Sequence, residues 1–217
     1  MSTAYISPLA AKPLTAYLKD SGVKIVTTTA LSNVDDAIAT HADIIMCDLG
    51  GRIVHGDPAR LTKKYPGDII YNAACTGRYF IHNLKYTDPL LLAAAEEMGR
   101  KLINVKQGYA KCSTLIVDED SVILSDEGMA RELKKHGLDV LLIRRGHIVL
   151  PGFRYGFIGG TAGKLGREII FNGDLSMHPD CGRIEEFIMA HGCRPKYFRG
   201  LPLMDIGSII ISGGEQR

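Results

Sequence analysis

The sequence predicts a single α/β domain over residues 1–217, built from about five repeats of a strand–strand–helix–strand unit. Three observations support this prediction. Pairs of short β-branched runs, separated by polar or glycine turns, recur along the chain and are typical of hairpins. A stretch with helical spacing follows most pairs and ends at a glycine, and one apolar strand comes after it. A chain of simple βαβ crossovers would alternate one strand with one helix, so we do not expect an open parallel sheet.

The most regular unit lies near the middle of the chain. Residues 114–117 and 122–125 are two apolar runs on either side of an acidic turn, which predicts a hairpin. Asp126 is placed to cap the helix that follows, and Gly137 is placed to end it. Residues 140–143 then form the returning strand, which completes the unit.

Three further units follow the same order of strand, strand, helix and strand. They are expected at residues 44–47, 52–55, 58–64 and 68–71, at residues 72–76, 78–83, 88–98 and 102–105, and at residues 155–159, 167–172, 182–190 and 195–198.

Two incomplete pieces remain at the ends of the chain. The N-terminal piece has a strand at residues 5–7, a helix starting near Pro13 and a strand at residues 23–26, but it lacks a first strand. The C-terminal piece is a single strand at residues 208–212. If that strand pairs with the N-terminal unit, it completes a fifth unit and closes the units into a ring. Closure would remove the exposed sheet edge of an open repeat array.

Composition excludes several classes of protein. The 26 Lys and Arg residues nearly balance the 24 Asp and Glu residues, so the basic excess of a nucleic-acid binder is missing and no nucleic-acid partner is expected. The chain begins without a signal peptide pattern and contains no apolar stretch of the ~20 residues that span a membrane, so no membrane partner is expected. The 5 cysteines are odd in number and form no C-x-x-C pair, which favours free thiols and a cytoplasmic location. The oligomeric state stays open.

Four short motifs, together with the order of the units, resemble an uncharacterised bacterial family assigned to the pentein fold. The motifs are Cys-Ser-Thr-Leu at residues 112–115, Phe-Ile-Gly-Gly-Thr-Ala-Gly at 157–163, Phe-Asn-Gly-Asp-Leu at 171–175 with His-Pro-Asp at 178–180, and Asp-Ile-Gly-Ser-Ile at 205–209. The pentein fold is that of the guanidine-modifying enzymes, which include arginine deiminases, dimethylarginine hydrolases and amidinotransferases. It also includes a non-catalytic ribosome anti-association factor. The resemblance implies an α/β propeller with five ββαβ units in a pseudo-fivefold ring.

The resemblance also implies where a functional site lies, and the sequence departs from the family pattern there. Pentein hydrolases place a cysteine, a histidine and two acids around the central channel, with the cysteine on the last strand. This chain has no cysteine after Cys193, and Ser208 is the nearest hydroxyl. Ile158 stands where the deiminases carry the acid of a glutamate-glycine-glycine motif. Because serine without an activating base is a weak nucleophile, the usual hydrolase chemistry is not expected.

Four polar residues are candidates for binding a ligand: Asp48, Asp174, Asp205 and Ser208. Paired carboxylates hold a flat guanidinium cation through charge-assisted hydrogen bonds, which is why acids at strand ends are of interest. Asp48 either faces the channel or forms the hairpin turn before two glycines. Ser208 is otherwise a turn or strand-end hydroxyl. Gly159 and Gly160 of the motif at residues 157–163 are otherwise a tight turn or a close backbone approach.

Four residues are candidates for catalysis: Cys112, Cys75, His178 and Asp180. Either thiol could be a relocated nucleophile, although a buried free cysteine is usually a small hydrophobic residue. His178 could move protons with Asp174 or Asp180 orienting its ring. The alternative is a loop histidine beside an aspartate that caps the next helix.

The sequence therefore favours a pentein-like protein that binds a small cationic or guanidinium-like ligand without hydrolysing it. A guanidine- or amide-modifying enzyme with a relocated thiol, and a non-catalytic partner-binding module, remain alternatives. No cofactor and no metal are expected, because Cys75, Cys112 and His178 are scattered without the paired spacing of a zinc site.

Overall fold

The computed structural model describes residues 2–213, in which short strands form five small sheets with helices packed on them. The strands are β1 (Thr3–Ile6), β2 (Lys24–Thr27), β3 (Met46–Asp48), β4 (Ile53–His55), β5 (Ala74–Cys75), β6 (Tyr79–His82), β7 (Lys101–Asn104), β8 (Leu115–Ile116), β9 (Ser121–Leu124), β10 (Asp139–Leu142), β11 (Ala162–Leu165), β12 (Glu168–Phe171), β13 (Arg194–Lys196) and β14 (Ile210–Ser212). The helices are α1 (Lys12–Asp20), α2 (Pro89–Glu97), α3 (Ala110–Ser113), α4 (Glu127–Lys135) and α5 (Cys181–Ala190). The chain is therefore a mixed α/β protein, as the sequence predicts.

Four of the five sheets repeat one arrangement. In each of them the first strand pairs antiparallel with the second, and the second pairs parallel with the third, which gives the orders β5-β6-β7, β8-β9-β10, β11-β12-β13 and β14-β1-β2. A helix connects the second strand to the third in every case, because parallel neighbours need a crossover connection. This is the order of strands and helices that the sequence predicts.

The N-terminal and C-terminal strands lie in the same sheet. β14 pairs antiparallel with β1, so that Thr3 faces Ser212 and Tyr5 faces Ile210. β1 then pairs parallel with β2 in the register Thr3 to Lys24. The prediction that the last strand completes the N-terminal unit is confirmed.

The sheet formed by β3 and β4 departs from the pattern. The predicted helix at residues 58–64 is only the 3₁₀ turn Pro58–Arg60, and the predicted strand at 68–71 consists of turns. The apolar residues there are buried all the same: the Ile69 N–H donates to the Pro66 carbonyl, and the Tyr71 hydroxyl accepts from the Asp57 N–H at 3.0 Å. The run is apolar because it fills the core, and burial alone does not specify a strand.

β11, the first strand of the sheet β11-β12-β13, begins later in the chain than predicted. Residues 155–159 were expected to form it, but Gly159–Thr161 is a 3₁₀ turn and the strand starts at Ala162. The backbone there must pass close to neighbouring chain segments, and this requirement rather than strand propensity explains the glycines.

Helix ends and the core follow the sequence closely. Asp126 caps α4, where its Oδ1 accepts the Met129 N–H at 2.8 Å, and Gly137 after the helix has a φ of 87°. The core is divided among four apolar clusters. Leu133 of α4, for example, belongs to the cluster built on β9 and β10. Among the described residues, no helix is both long and apolar enough to cross a membrane.

Candidate functional site

A cavity of about 450 Å³ is lined by the first strand of every one of the five sheets. These strands are β3, β5, β8, β11 and β14, each the one that pairs antiparallel with its neighbour. Because one cavity meets all five sheets, it is the place where side chains distant in sequence converge.

The wall of this cavity carries both acids and bases. Asp48, Asp118 and Glu119 contribute carboxylates. Lys164 also lies on the wall, where its ammonium donates to the Val117 carbonyl at 2.6 Å. Burial raises the pKa of Asp118, but the hydrogen bonds from Asp120 and Ser121 and the charge of His191 together outweigh burial and lower the pKa of this carboxyl. Asp118 is therefore ionised at neutral pH.

Acidic residues are concentrated on one side of the cavity. A neighbouring depression of about 300 Å³ shares Asp118 and Glu119 with the cavity and adds Asp120 and Asp139. Asp120 is paired with Arg78 at 2.8 Å, whereas the Glu119 carboxylate is exposed and makes no ion pair within residues 2–213. This side of the cavity is the one best suited to a cation.

Three of the cysteines, Cys47, Cys75 and Cys193, also line the cavity. All three are buried. Burial raises the pKa of Cys75 to about 11 and raises that of Cys47 well above its ordinary value. Since the thiolate is the nucleophilic form, the thiols of Cys47 and Cys75 are unreactive at neutral pH.

A buried polar cluster lies next to the cavity, just before the strands that line it. It consists of Asp43, Asn72, Cys112, Gly159 and Ser208. Each of these residues stands two or three positions before the first strand of a different sheet. The five connections into the first strands therefore meet in one place.

Hydrogen bonds and one close backbone contact join the members of this cluster in a circuit. The Asp43 carbonyl accepts from Asn72 Nδ2 at 3.0 Å, and the same Nδ2 donates to Cys112 Sγ at 3.2 Å. A Cβ on Gly159 would overlap the carbonyls of residues 111 and 114, so this glycine packs directly on the backbone around Cys112. Ser208 Oγ lies 2.9 Å from the Gly159 carbonyl oxygen and 2.6 Å from Asp43 Oδ2, which closes the circuit.

Lys111 connects the cluster to the cavity. Its side chain lines the cavity, and its Nζ donates to Ser208 Oγ at 2.9 Å. Ser208 has a φ of 69°, a conformation that non-glycine residues rarely adopt, and hydrogen bonds on both sides of its hydroxyl hold it there. Backbone outliers of this kind occur often at functional sites.

Cys112 and Asp43 are in direct contact. Cys112 Sγ lies 3.2 Å from Asp43 Oδ2, and both residues are almost completely buried. Burial raises the pKa of the Cys112 thiol well above its ordinary value, and the carboxylates of Asp43 and Asp205 raise it further. In this state the thiol is protonated and donates its hydrogen to Asp43.

Asp205 and His41 lie beside the cluster. The Asp205 carboxylate accepts from the Phe157 N–H at 2.9 Å and from the Gly207 N–H at 3.0 Å. Burial raises the pKa of Asp205 to about 6, and the facing His41 opposes only part of that shift. His41 Nδ1 is 3.9 Å from Asp205 Oδ1, and neither ring nitrogen of His41 has a hydrogen-bond partner within the described chain.

Two glycines make these approaches possible. A Cβ on Gly160 would overlap the Asp205 carboxylate. A Cβ on Gly207, whose φ is 72°, would overlap the side chain of His41. The glycines in the motifs at residues 157–163 and 205–209 therefore allow polar side chains to pack directly against the backbone. This agrees with the interpretation of Gly159 and Gly160 as a close backbone approach.

The structure brings together only some of the residues that the sequence singles out. Cys112, Asp205 and Ser208 meet at the buried polar cluster. Asp48 and Cys75 line the cavity next to it. Asp48 also forms the hairpin turn, where its Oδ1 accepts from the N–H groups of residues 50 and 51. It therefore combines the two roles considered for it.

The remaining three candidates, Asp174, His178 and Asp180, line neither the cavity nor the cluster. The Ser176 hydroxyl donates to Asp174 and lowers its pKa, so this residue caps a 3₁₀ turn. Burial lowers the pKa of His178, whose Nδ1 accepts the Asp180 N–H at 3.1 Å. Asp180 stands at the start of α5 but does not cap it with its side chain, because its Oδ2 accepts the Arg144 N–H at 2.7 Å.

Sequence reasoning missed four residues of this region: His41, Asp43, Asn72 and Lys111. All four precede first strands. Asp43 stands just before the strand predicted at residues 44–47, and Asn72 lies inside the strand predicted at residues 72–76, so neither stood out as a site residue. The sequence signal that could have identified the cluster is the position of its residues relative to the first strands. A residue of the cluster stands two or three positions before each first strand, and all of these residues except Gly159 have a side-chain hydrogen-bond donor or acceptor. That signal appears only once the five first strands are aligned.

Comparison with known proteins identifies the family without assigning a function. No curated protein matches the chain. A family model described as a family of unknown function, DUF6873, matches residues 53–210. That range covers most of the chain, including the first strands β5, β8 and β11 and all but Asp43 of the buried polar cluster, and it ends at the first residue of β14. The chain therefore belongs to the DUF6873 family of unknown function.

Proposed function

We propose that this chain is a ligand-binding protein whose five sheets are arranged around the cavity as in the pentein fold, and that the cavity takes a small cationic or guanidinium-like ligand. The observation that supports this proposal best is the lining of one cavity by the first strands of all five sheets. The circuit of contacts through the buried polar cluster supports the same arrangement. So does the pairing of β14 with β1, which joins the two ends of the chain.

The size and charge of the cavity support the class of ligand. A volume of about 450 Å³ lies within the range of about 300–1,000 Å³ that is usual for small-molecule sites. Of the wall residues on the acidic side, Asp118 is held in its ionised form and Glu119 is unpaired within residues 2–213. Lys164 and Lys111 already donate to protein oxygens. The Glu119 carboxylate is therefore available to a cation, which can bind it and the ionised Asp118 through charge-assisted hydrogen bonds.

Binding is favoured over thiol catalysis by the state of the cysteines. A relocated nucleophile at Cys75 or Cys112 needs a lowered thiol pKa. Burial raises the pKa of both thiols, and the carboxylates next to Cys112 reinforce the effect. For Cys75, the hydrogen bond with the Gly77 backbone and the charge of Arg100 lower the pKa, but they offset only part of the effect of burial. The cavity is thus better suited to holding a ligand than to attacking one.

A thermal-shift screen with agmatine and arginine, run with a chelator present, tests the proposal. Citrulline, which replaces the guanidinium by a neutral urea, is the matched control ligand. A ligand at about a hundred times its Kd adds about 2.7 kcal/mol of stability. For a chain of this size that corresponds to a rise in Tm of roughly 5–10 °C. We expect the rise for at least one of the two cations and not for citrulline.

Two substitutions locate the binding. Glu119→Gln and Asp118→Asn should weaken the stabilisation, whereas Glu127→Gln, which removes an exposed acid on α4, should leave it unchanged. Equal stabilisation by citrulline, or no stabilisation by either cation, would contradict the proposed ligand class. A response that survives Glu119→Gln and Asp118→Asn would place the ligand outside the acidic side of the cavity.

A further inference from the structure

His41 is the most unusual polar residue in the chain. Its side chain is 1% exposed, and both ring nitrogens are without a hydrogen-bond partner among residues 2–213. Buried polar groups are nearly always paired, because an unpaired one costs the full free energy of removing it from water. A histidine with two unpaired nitrogens in the core is therefore poised for a partner that is not a side chain of the described protein.

Asp43 has the same deficiency beside it. Its Oδ2 accepts from Ser208 and Cys112, but its Oδ1 is buried without a partner in the described chain. Asp43 is 0% exposed and forms no ion pair within residues 2–213. A buried carboxylate is normally paired with a cation or coordinates a metal.

The donor atoms of His41, Asp43 and Cys112 converge. One imidazole nitrogen, one carboxylate oxygen and the thiol sulfur all lie within 4.8 Å of one another, and all three residues are buried. In a tetrahedral zinc site, ligands at about 2.0–2.3 Å from the ion stand roughly 3.3–3.7 Å apart. Cys112 Sγ and Asp43 Oδ2, at 3.2 Å, are close to that spacing, and the imidazole nitrogen lies within 4.8 Å of both atoms.

The charges also fit a divalent ion. Asp43 and Asp205 are two carboxylates in one buried region, and the nearest ammonium, that of Lys111, reaches only Ser208. A zinc ion bound by the Asp43 carboxylate, the Cys112 thiolate and neutral His41 has no net charge. A neutral complex is the form that a low-dielectric site accommodates at the lowest cost.

We propose that His41, Asp43 and Cys112 form a zinc site in the buried region next to the cavity. His41 binds the ion through Nε2, while Nδ1 donates to Asp205, which lies 3.9 Å away. Metal-bound histidines usually donate their second N–H to a carboxylate in this way. Asp205 is fixed for that role by the N–H groups of Phe157 and Gly207.

Binding the ion is balanced in charge and atoms. The Zn–S bond forms as the Cys112 thiol releases its proton to solvent, and the hydrogen bond from that thiol to Asp43 is replaced by a Zn–O bond. Three protein ligands leave a fourth position for water or for the second oxygen of Asp43. Mixed nitrogen, oxygen and sulfur donors favour zinc over magnesium or calcium, which prefer oxygen alone. The site does not depend on the ligand proposed for the cavity.

The test uses the full chain, stripped of metal and refolded with zinc because the site is buried. Elemental analysis after gel filtration should find one zinc per chain. Refolding with cobalt should produce a near-ultraviolet thiolate-to-cobalt charge-transfer band, which requires a cobalt–sulfur bond. Zinc should also protect Cys112 from alkylation when labelled positions are mapped by mass spectrometry.

Variants assign the ligands. Cys112→Ser and His41→Gln should weaken zinc binding by more than about tenfold, measured by competition with a chromophoric chelator, and Asp205→Asn by about tenfold. Cys75→Ser is the matched control, since it removes another buried thiol, and it should bind zinc normally. Circular dichroism without metal checks that each variant folds.

The proposal is overturned if the refolded chain binds no stoichiometric zinc or if its cobalt form lacks the thiolate band. It is also overturned if Cys75→Ser loses as much affinity as Cys112→Ser. If Cys112→Ser fails to fold, the cobalt spectrum and the alkylation map of the unsubstituted chain decide the question by themselves.

Discussion

His82 and His41 are both buried histidines, 0% and 1% exposed, yet their surroundings differ in every polar contact. His82 Nδ1 lies 2.7 Å from Thr87 Oγ1, and its Nε2 lies 3.0 Å from the Gly108 carbonyl oxygen. Since that carbonyl can only accept, Nε2 carries the hydrogen and Nδ1 accepts from the threonine. His41 has no such partner within the described residues.

Paired ring nitrogens, as in His82, are typical of a buried polar residue that stabilises the fold. Unpaired ring nitrogens, as in His41, indicate a residue that binds a ligand. Around His82, which lies on β6, one partner comes from the turn before α2 and the other from the segment between β7 and α3. Around His41, unpaired atoms, the left-handed Ser208 and two glycines with no room for a Cβ occur together. Strain and unpaired buried groups persist only where something else compensates for them. The region of Asp43 and His41 is therefore where function is best sought.

The largest effect is expected from removing His82. His82→Leu leaves the Gly108 carbonyl buried without its donor and removes the partner of Thr87. The free energy of unfolding should fall by about 3–4 kcal/mol, because unpaired buried groups cost about 1–3 kcal/mol each. Urea denaturation with a chelator present measures this loss. A loss below about 1 kcal/mol would show that the two contacts do not stabilise the fold.

The free energy of unfolding should also depend on pH through His82. Burial lowers the pKa of His82 to about 4, from 6.5 in the unfolded chain. Between these values the unfolded chain binds the extra proton, so this contribution to stability is complete above pH 6.5 and is lost as pH falls through about 4. The loss is at most about 3 kcal/mol.

The matched variant His82→Gln isolates that contribution, because glutamine does not titrate. The difference in unfolding free energy between the unsubstituted chain and His82→Gln should shrink as the pH is lowered from 7 towards 4. A difference that stays constant over this range would mean that His82 is not held in its neutral form by the fold.

A much smaller effect is expected from the same substitution at the other histidine. In the metal-free chain, His41→Leu removes no hydrogen bond and replaces a buried polar ring with an apolar side chain. The free energy of unfolding should change by less than about 1 kcal/mol, and a gain in stability is an acceptable outcome. Zinc should stabilise the unsubstituted chain and not this variant. A loss as large as that of His82→Leu would remove the contrast between the two histidines.

The repeating order of strands and helices could be predicted from the sequence because it is local. Hairpin turns, helix caps such as Asp126, and glycines such as Gly137 each act within a few residues. The predictions at residues 68–71 and 155–159 were wrong for a physical reason. An apolar run indicates that its residues are buried, and a glycine-rich run indicates that its backbone packs closely against another part of the chain. Neither pattern indicates which part of the chain that is.

The site could be predicted only in part because its contacts are not local. Ser208 meets Asp43 across 165 residues, and Cys112 meets Asp43 across 69. Sequence reasoning reached Cys112, Asp205 and Ser208 through motifs, and reached Asp48 and Cys75 through their places near first strands. It did not reach Asp43 or His41, since no spacing rule links residues that only the arrangement of the sheets brings together.

Thiol reactivity gives the finest test of the contrast between the buried cluster and the rest of the molecule. Cys181 is the one described cysteine that is only partly buried, so it should be alkylated first in the metal-free chain, although burial raises its pKa as well. Cys112 should react only at the rate at which its surroundings open, because its thiol is enclosed and its pKa is raised. Iodoacetamide labelling mapped over time, with and without urea, measures both rates. If Cys112 or Cys75 reacts as fast as Cys181 at neutral pH, their surroundings activate the thiol rather than suppress it. In that case an enzyme with a relocated nucleophile becomes the better account of the cavity.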